Sequence, residues 1–147
     1  MKKRILVVED HADTRRGLER FLEVIGYDLV VADSVRSAQK LAKKNVFDVM
    51  LIDLNLPDGT GWDLLKGLNK KKQVPAVAMS GWSSEKDVAK SKEAGFLAHL
   101  VKPIIPEELV EALGQAIALS GENKTETKRT RNKRIARGDA GSDWFAV

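Results

Sequence analysis

Phe47-Asp48-Val49-Met50-Leu51-Ile52-Asp53-Leu54-Asn55-Leu56-Pro57-Asp58-Gly59 is an apolar run that ends on a carboxylate and breaks into a turn. Met50 to Ile52 are apolar without alternation, the pattern of a central strand in a parallel sheet covered on both faces. Pro57 and Gly59 are turn residues that do not extend a strand. Asp53 is therefore expected at the strand's carboxyl end, where open α/β sheets bind ligands. A lone Asp before a turn also serves simply as a polar strand end, so its chemistry depends on what the rest of the chain brings to it.

Upstream, residues 4–8 read as a first strand that ends in Glu9 and Asp10. Leu18, Phe21, Leu22 and Ile25 then share one helical face, with Gly26 as the stop. Residues 29–32 form a second short strand, and Ser34 caps a helix whose apolar side is Val35, Ala38 and Leu41. Residues 47–52 are the third strand. Downstream of the turn, Trp62, Leu64, Leu65 and Leu68 mark a short helix, and Lys70-Lys71-Lys72 a solvated loop. A fourth strand opens at Pro75 and ends at Ser80-Gly81. Ser84, with Asp87 three residues on, starts a helix that stops at Gly95. Residues 96–101 form a fifth strand ending at Lys102-Pro103. Pro106-Glu107-Glu108 suits a first helical turn, and Leu109, Leu113 and Ile117 bury one face of the last helix. Five strands alternating with helices imply an α/β fold: a doubly wound, three-layer (βα)5 sandwich around a parallel sheet with right-handed crossovers.

Composition narrows the function. The chain has 147 residues, 43% of them hydrophobic, enough for one domain with a real core. It has no Cys, which excludes disulfides, thiol catalysis and thiolate metal sites. The amino terminus opens with basic residues like a signal peptide, but its apolar run is four residues long and ends in two acids, so a strand is expected there and not an export signal. No apolar run approaches membrane-spanning length, and a cytoplasmic protein without membrane partners is the expectation. The net charge of +4 is uneven. Residues 1–120 carry 18 basic against 17 acidic side chains, residues 121–147 carry 7 against 4. A domain over 1–120 and a basic, disordered tail over 121–147 are expected.

Four strands thus end in polar groups: Glu9 and Asp10, Asp53, Ser80, and Lys102. A parallel sheet places all carboxyl ends at one edge, so these groups converge although distant in sequence. Three carboxylates close together either hold protons or recruit a cation, and hard oxygen ligands favour Mg²⁺. A carboxylate nucleophile, a divalent cation, an ammonium and a hydroxyl suit phosphoryl transfer to Asp53. The metal, Lys102 and Ser80 would neutralise charge on the equatorial oxygens, and a carboxylate is ionised near neutral pH without a general base.

These residues resemble the receiver domain of two-component response regulators, over residues 3 to about 120. The resemblance is carried by Glu9-Asp10, by Asp53 with Leu-Pro-Asp-Gly following, by Ser80 and by Lys102-Pro103, all in order at the right strand ends. It implies a flavodoxin-like strand order of 2-1-3-4-5 and a cis Lys102-Pro103 peptide. It implies Mg²⁺ held by Asp10, Asp53 and the main-chain carbonyl of Asn55, with Glu9 acting through water. It further implies phosphoryl transfer to Asp53 from the His of a sensor histidine kinase or histidine phosphotransfer protein, docking on the first helix and the loop after the fifth strand. The readout surface would be the fourth helix, fifth strand and fifth helix, toward a downstream protein. On this reading the chain is a stand-alone phosphoacceptor and not an enzyme.

Two positions depart from the family pattern. Receivers that drive a separate output carry Tyr or Phe three residues before the Lys, as a switch that moves with Ser80; here His99 stands there. The surrounding sequence is most similar to receivers of hybrid histidine kinases, which points to a phosphorelay. His99 as an ordinary amphipathic strand residue remains open. Trp82, two residues after Ser80, is expected to slow loss of phosphate to water by excluding it; an indole that points to solvent is the alternative.

Two other function classes remain beside the receiver. Residues 128–137 hold six basic side chains and no acid, so the tail is either a solvated charge run or a salt-sensitive nucleic-acid tether. An aspartyl-phosphate hydrolase would also use a strand-end Asp with Mg²⁺, but that chemistry wants an acid two residues after Asp53, and Asn55 occupies the place. The apolar end Trp144-Phe145-Ala146-Val147 is either a docking segment or random terminal sequence.

Overall fold

The computed structural model describes residues 2–81, 84–125 and 145–146. Its centre is a parallel sheet of β1 (Arg4–Val8), β2 (Asp28–Ala32), β3 (Val49–Asp53), β4 (Ala76–Ser80) and β5 (Ala98–Val101), joined by a short edge strand, β6 (Phe145–Ala146). The order is β2-β1-β3-β4-β5-β6, so the five central strands take the expected 2-1-3-4-5 arrangement. The helices are α1 (Ala12–Val24), α2 (Val35–Lys44), α3 (Gly61–Leu68), α4 (Glu85–Ala94) and α5 (Pro106–Thr125).

Both faces of the sheet are covered. Ile5, Val7, Val49, Leu51, Val77 and Met79 pack with Leu18 and Leu22 of α1 and Leu109 and Leu113 of α5. The alternate positions, Leu6, Val8, Met50, Ile52, Ala76 and Ala78, pack with Ala38 of α2 and Leu64 and Leu65 of α3. Two buried faces explain why β3 reads as a continuous apolar run.

Local chemistry sets the helix ends. Ser34 accepts from Ser37 N at 3.0 Å, and the Ser37 hydroxyl accepts in turn from Ser34 N at 3.1 Å. Ser84 accepts from Asp87 N at 3.1 Å, as the spacing predicts. Gly95 ends α4 in the left-handed region at φ 108°, a conformation that glycine adopts without Cβ strain.

Some boundaries differ from the sequence reading. β3 begins at Val49 and takes in Asp53 itself, and β5 begins at Ala98. Ile25 follows the last helical residue of α1 and is exposed rather than on the buried face. A two-residue antiparallel ribbon pairs Asn55 with Thr60 and Leu56 with Gly59 around the Pro57-Asp58 turn. The last helix passes the expected boundary at 120 and runs to Thr125, and residues 145–146 of the expected tail pair with β5. The basic run 128–137 lies outside the described residues.

Candidate functional site

The carboxyl ends of β1 and β3 are adjacent, with Val8 opposite Ile52 in the parallel register. That register sets Glu9 and Asp53 side by side one step beyond. Glu9, Asp10 and Asp53 each offer a carboxylate oxygen within 4.8 Å of the others. Glu9 and Asp53 are buried and Asp10 is exposed, so the cluster opens to solvent on the Asp10 side.

Lys102 follows β5 and reaches across the sheet edge into this cluster. Its Nζ donates to Asp53 Oδ2 at 2.6 Å and to Glu9 Oε1 at 2.7 Å. Burial works against the charged ammonium, but the hydrogen bonds and charges of Asp53 and Glu9 outweigh it and hold the Lys102 pKa above its ordinary value. Burial pushes the Glu9 carboxyl up, and neighbouring Asp53 adds to this; the hydrogen bonds from Lys102 and from His11 N act in the opposite direction without cancelling it. The Lys102-Pro103 peptide is cis, as the resemblance implies.

The Asp53 side chain is oriented from its own loop. Asn55 N donates to Asp53 Oδ1 at 2.9 Å, a local turn that leaves Oδ2 to Lys102. Asn55 therefore does lie at the site. Ser80 ends β4 and is buried, one residue beyond Met79, which stands opposite Asp53 in the register. Its carbonyl accepts from Lys102 N at 2.7 Å, tying the fourth and fifth strand ends together.

His99 lies in β5 opposite Ala78, on the same sheet face as Ser80 by strand alternation. It is fully buried, and its Nδ1 lies 2.8 Å from Ser91 Oγ of α4. Trp62 Nε1 of α3 donates to the same hydroxyl at 2.9 Å, and Lys90 Nζ stands 4.8 Å above the Trp62 ring. Trp82 lies outside the described residues.

Three supporting residues escaped the sequence reading. Arg15 donates to the main-chain carbonyls of Glu9 at 3.0 Å and Asp10 at 3.4 Å, bracing the acidic pair from α1. Asp58, read only as part of a turn, accepts from Val35 N at 2.8 Å and Arg36 N at 3.0 Å and so caps α2 from the loop after Asp53. Those two backbone bonds hold the Asp58 carboxyl below its usual range. Gly61 packs so closely on β3 that a Cβ would lie 2.6 Å from the Asp53 carbonyl oxygen and 3.0 Å from Leu54 Cα. A helix start this close to Asp53 requires glycine. The Asp-Gly and Thr-Gly pairs in the loop were the available signal, but a close approach leaves no local pattern.

The donor set fits a small divalent cation. When ionised, the three carboxylates carry more negative charge than the Lys102 ammonium balances, and the burial of Glu9 makes that excess unfavourable unless a proton or a further cation offsets it.

Comparison with known proteins agrees with this geometry. Residues 5–114 match the response regulator receiver domain family. A probable transcriptional regulator ycf27 of Porphyridium aerugineum is 33% identical over 108 residues, covering 74% of this chain and 45% of that protein. The transcriptional regulatory protein PdtaR of Mycobacterium tuberculosis is 29% identical over 141 residues, covering 90% and 69%. The chain thus spans less than half the length of the first relative and about two thirds of the second. A crystal structure of a CheY-like receiver domain protein from Methanospirillum hungatei superposes with a TM-score of 0.79 at 26% identity, covering 84% of this chain and 99% of that one. Among the described residues, no helix is long and apolar enough to cross a membrane. With the strand order, the strand-end carboxylates and the Lys102 bridge all in place, the chain belongs to the response regulator receiver domain family of two-component systems.

Proposed function

We propose that this receiver accepts a phosphoryl group on Asp53 from a phosphohistidine of a sensor histidine kinase or histidine phosphotransfer protein. The observation that carries the reading is the Lys102 ammonium, 2.6 Å from Asp53 Oδ2 and 2.7 Å from Glu9 Oε1 in a three-carboxylate cluster. An Asp53 oxygen attacks phosphorus, the phosphorus–nitrogen bond breaks, and the imidazole leaves with the electron pair. Lys102 then moves its charge from the free carboxylate to the phosphoryl oxygens, and Ser80 offers its hydroxyl beside them. Asp10, Asp53 and the Asn55 carbonyl would hold Mg²⁺, with Glu9 acting through water, and the ion when bound would supply further neutralisation of phosphoryl charge.

A groove of about 350 Å³ supports donor docking beside the site. Gly17, Leu18 and Phe21 of α1 line it together with Pro103, Ile104 and Leu109, and Lys102 is part of its wall. An apolar helix face carrying a phosphohistidine suits this shape.

Phosphorylation acts by population shift, biasing α4 and the adjoining loops between two arrangements and presenting the α4, β5 and α5 face to a downstream protein. Buried His99 takes the place of the aromatic switch. This favours a relay or competing receiver, as the similarity to hybrid-kinase receivers suggests. A second reading, control of transcription, is favoured by the names of the ycf27 and PdtaR relatives and by a PdtaR match that extends beyond residues 5–114. The chain is read as a phosphoacceptor and not a hydrolase, because Asn55 offers no acid to a leaving group.

Incubation with Mg²⁺ and acetyl phosphate should add one phosphoryl mass to the parent and none to Asp53→Ala, and EDTA should abolish the gain. An unmodified parent under conditions where Mg²⁺ binds would overturn phosphoacceptance. Salt-sensitive binding of DNA or RNA by the full chain, unchanged in Asp53→Ala, would move the assignment to the basic residues 128–137.

A further inference from the structure

The outer edge of β5 carries an occupant from the far end of the chain. One edge of β5 pairs with β4; along the other runs β6, parallel, with Ala98 opposite Phe145 and His99 opposite Ala146. A bare edge strand presents N–H and C=O groups that recruit another strand, and edge pairing is a general mode of peptide recognition in which the main chain supplies the affinity. Among the described residues the pairing is two residues long, short enough for another strand to displace it.

Topology favours an occupant from the same molecule. α5 carries the chain from the carboxyl end of β5 back toward its amino end, where a parallel neighbour must begin. Residues 126–144 can stretch on the order of 60 Å, while α5 itself is about 30 Å long. Covalent linkage makes the pairing intramolecular, with an effective concentration on the order of millimolar for a span within reach, which lets a short contact persist within one molecule where it would not between dilute copies. The pairing also falls on His99, the residue whose side chain is bonded to Ser91 of α4.

We propose that the outer edge of β5 is a strand-docking surface whose resident ligand is Phe145–Ala146 of the same chain. A partner offering an extended segment parallel to β5 docks there only by displacing it. The inference deepens the readout-face reading but does not depend on phosphoryl transfer, since the pairing is present with Asp53 unmodified.

The absence of Cys permits a clean test in the full chain. Val147→Cys carrying a nitroxide, in ¹⁵N-labelled protein diluted with unlabelled protein, should broaden the Ala98 and His99 amides several-fold more than those of β2 on the opposite edge. Adding Ala146→Pro, which removes a donor from the ladder, should abolish the effect. Asp53→Ala should leave it intact, which keeps this result separate from the acetyl phosphate test. Broadening seen only when labelled and spin-labelled copies are mixed would assign the strand to a second copy and overturn the proposal, as would no broadening at all. A synthetic peptide of residues 140–147 should bind the Ala146→Pro chain and perturb β5, and bind the parent at least tenfold more weakly; equal binding to both, or to neither, overturns the docking surface.

Discussion

The hydroxyl of Ser91 lies 2.8 Å from His99 Nδ1 and 2.9 Å from Trp62 Nε1, so one small side chain joins α4 to β5 and to α3. An indole N–H only donates, so Ser91 accepts from Trp62 and its own hydrogen is available to Nδ1. Ser91 and His99 are both fully buried, which makes the bond expensive to lose. Ser91→Ala should lower unfolding stability by about 1–3 kcal/mol, measured by urea denaturation. It should also shift the His99 ring resonances and the fluorescence of Trp62. Unchanged stability and spectra would show that the three groups are not coupled.

Lys102 compensates two buried carboxylates at once. Lys102→Ala should destabilise the metal-free protein at neutral pH by about 3–5 kcal/mol, the usual result of removing one partner of a buried pair. The raised Glu9 pKa fixes the sign of the pH dependence. Such a carboxyl favours the folded state most below its unfolded value of 4.5 and loses that advantage as pH rises through the folded value. The gap between Lys102→Ala and parent should therefore narrow as pH is lowered toward 4.5, in denaturant titrations at a series of pH values. A constant gap would refute this.

Asp58 gives the opposite sign. Its pKa is lowered by bonds from Val35 N and Arg36 N, so its contribution is present above the ordinary carboxyl value of 3.8 and is lost as pH falls through the lower folded value. Asp58→Ala should be less stable than the parent at neutral pH, and the two should converge in acid below 3.8. Hydrogen exchange should locate the loss in the first turn of α2.

Gly61→Ala places a methyl group 2.6 Å from the Asp53 carbonyl oxygen. The backbone must move, and a cost of about 1–3 kcal/mol is expected for this overpacking. Because the displaced atom belongs to Asp53, labelling by acetyl phosphate should slow as well. Gly67→Ala serves as control, since among the described residues nothing beyond its chain neighbours and its own helix backbone lies within 4 Å of its added Cβ.

Much of this protein was legible along the chain because the relevant chemistry is local. The unbroken apolar run of β3, the helical spacing of Leu18 and Leu22, the Ser34 and Ser84 caps and the Gly95 stop all act between residues a few positions apart. Strand ends follow from these, and strand ends placed Glu9, Asp10, Asp53, Ser80 and Lys102 at one edge. What only the tertiary structure decided acts across long separations. Lys102 meets Asp53 49 positions away and Glu9 93 positions away, at distances set by strand order and register. Asp58 caps a helix 22 positions earlier, Ser91 accepts from Trp62 29 positions earlier, and Phe145 returns to Ala98 at the sheet edge. Periodicity and capping announce which face or end a residue occupies, but a contact between elements depends on how those elements are stacked, and no short stretch of sequence encodes that.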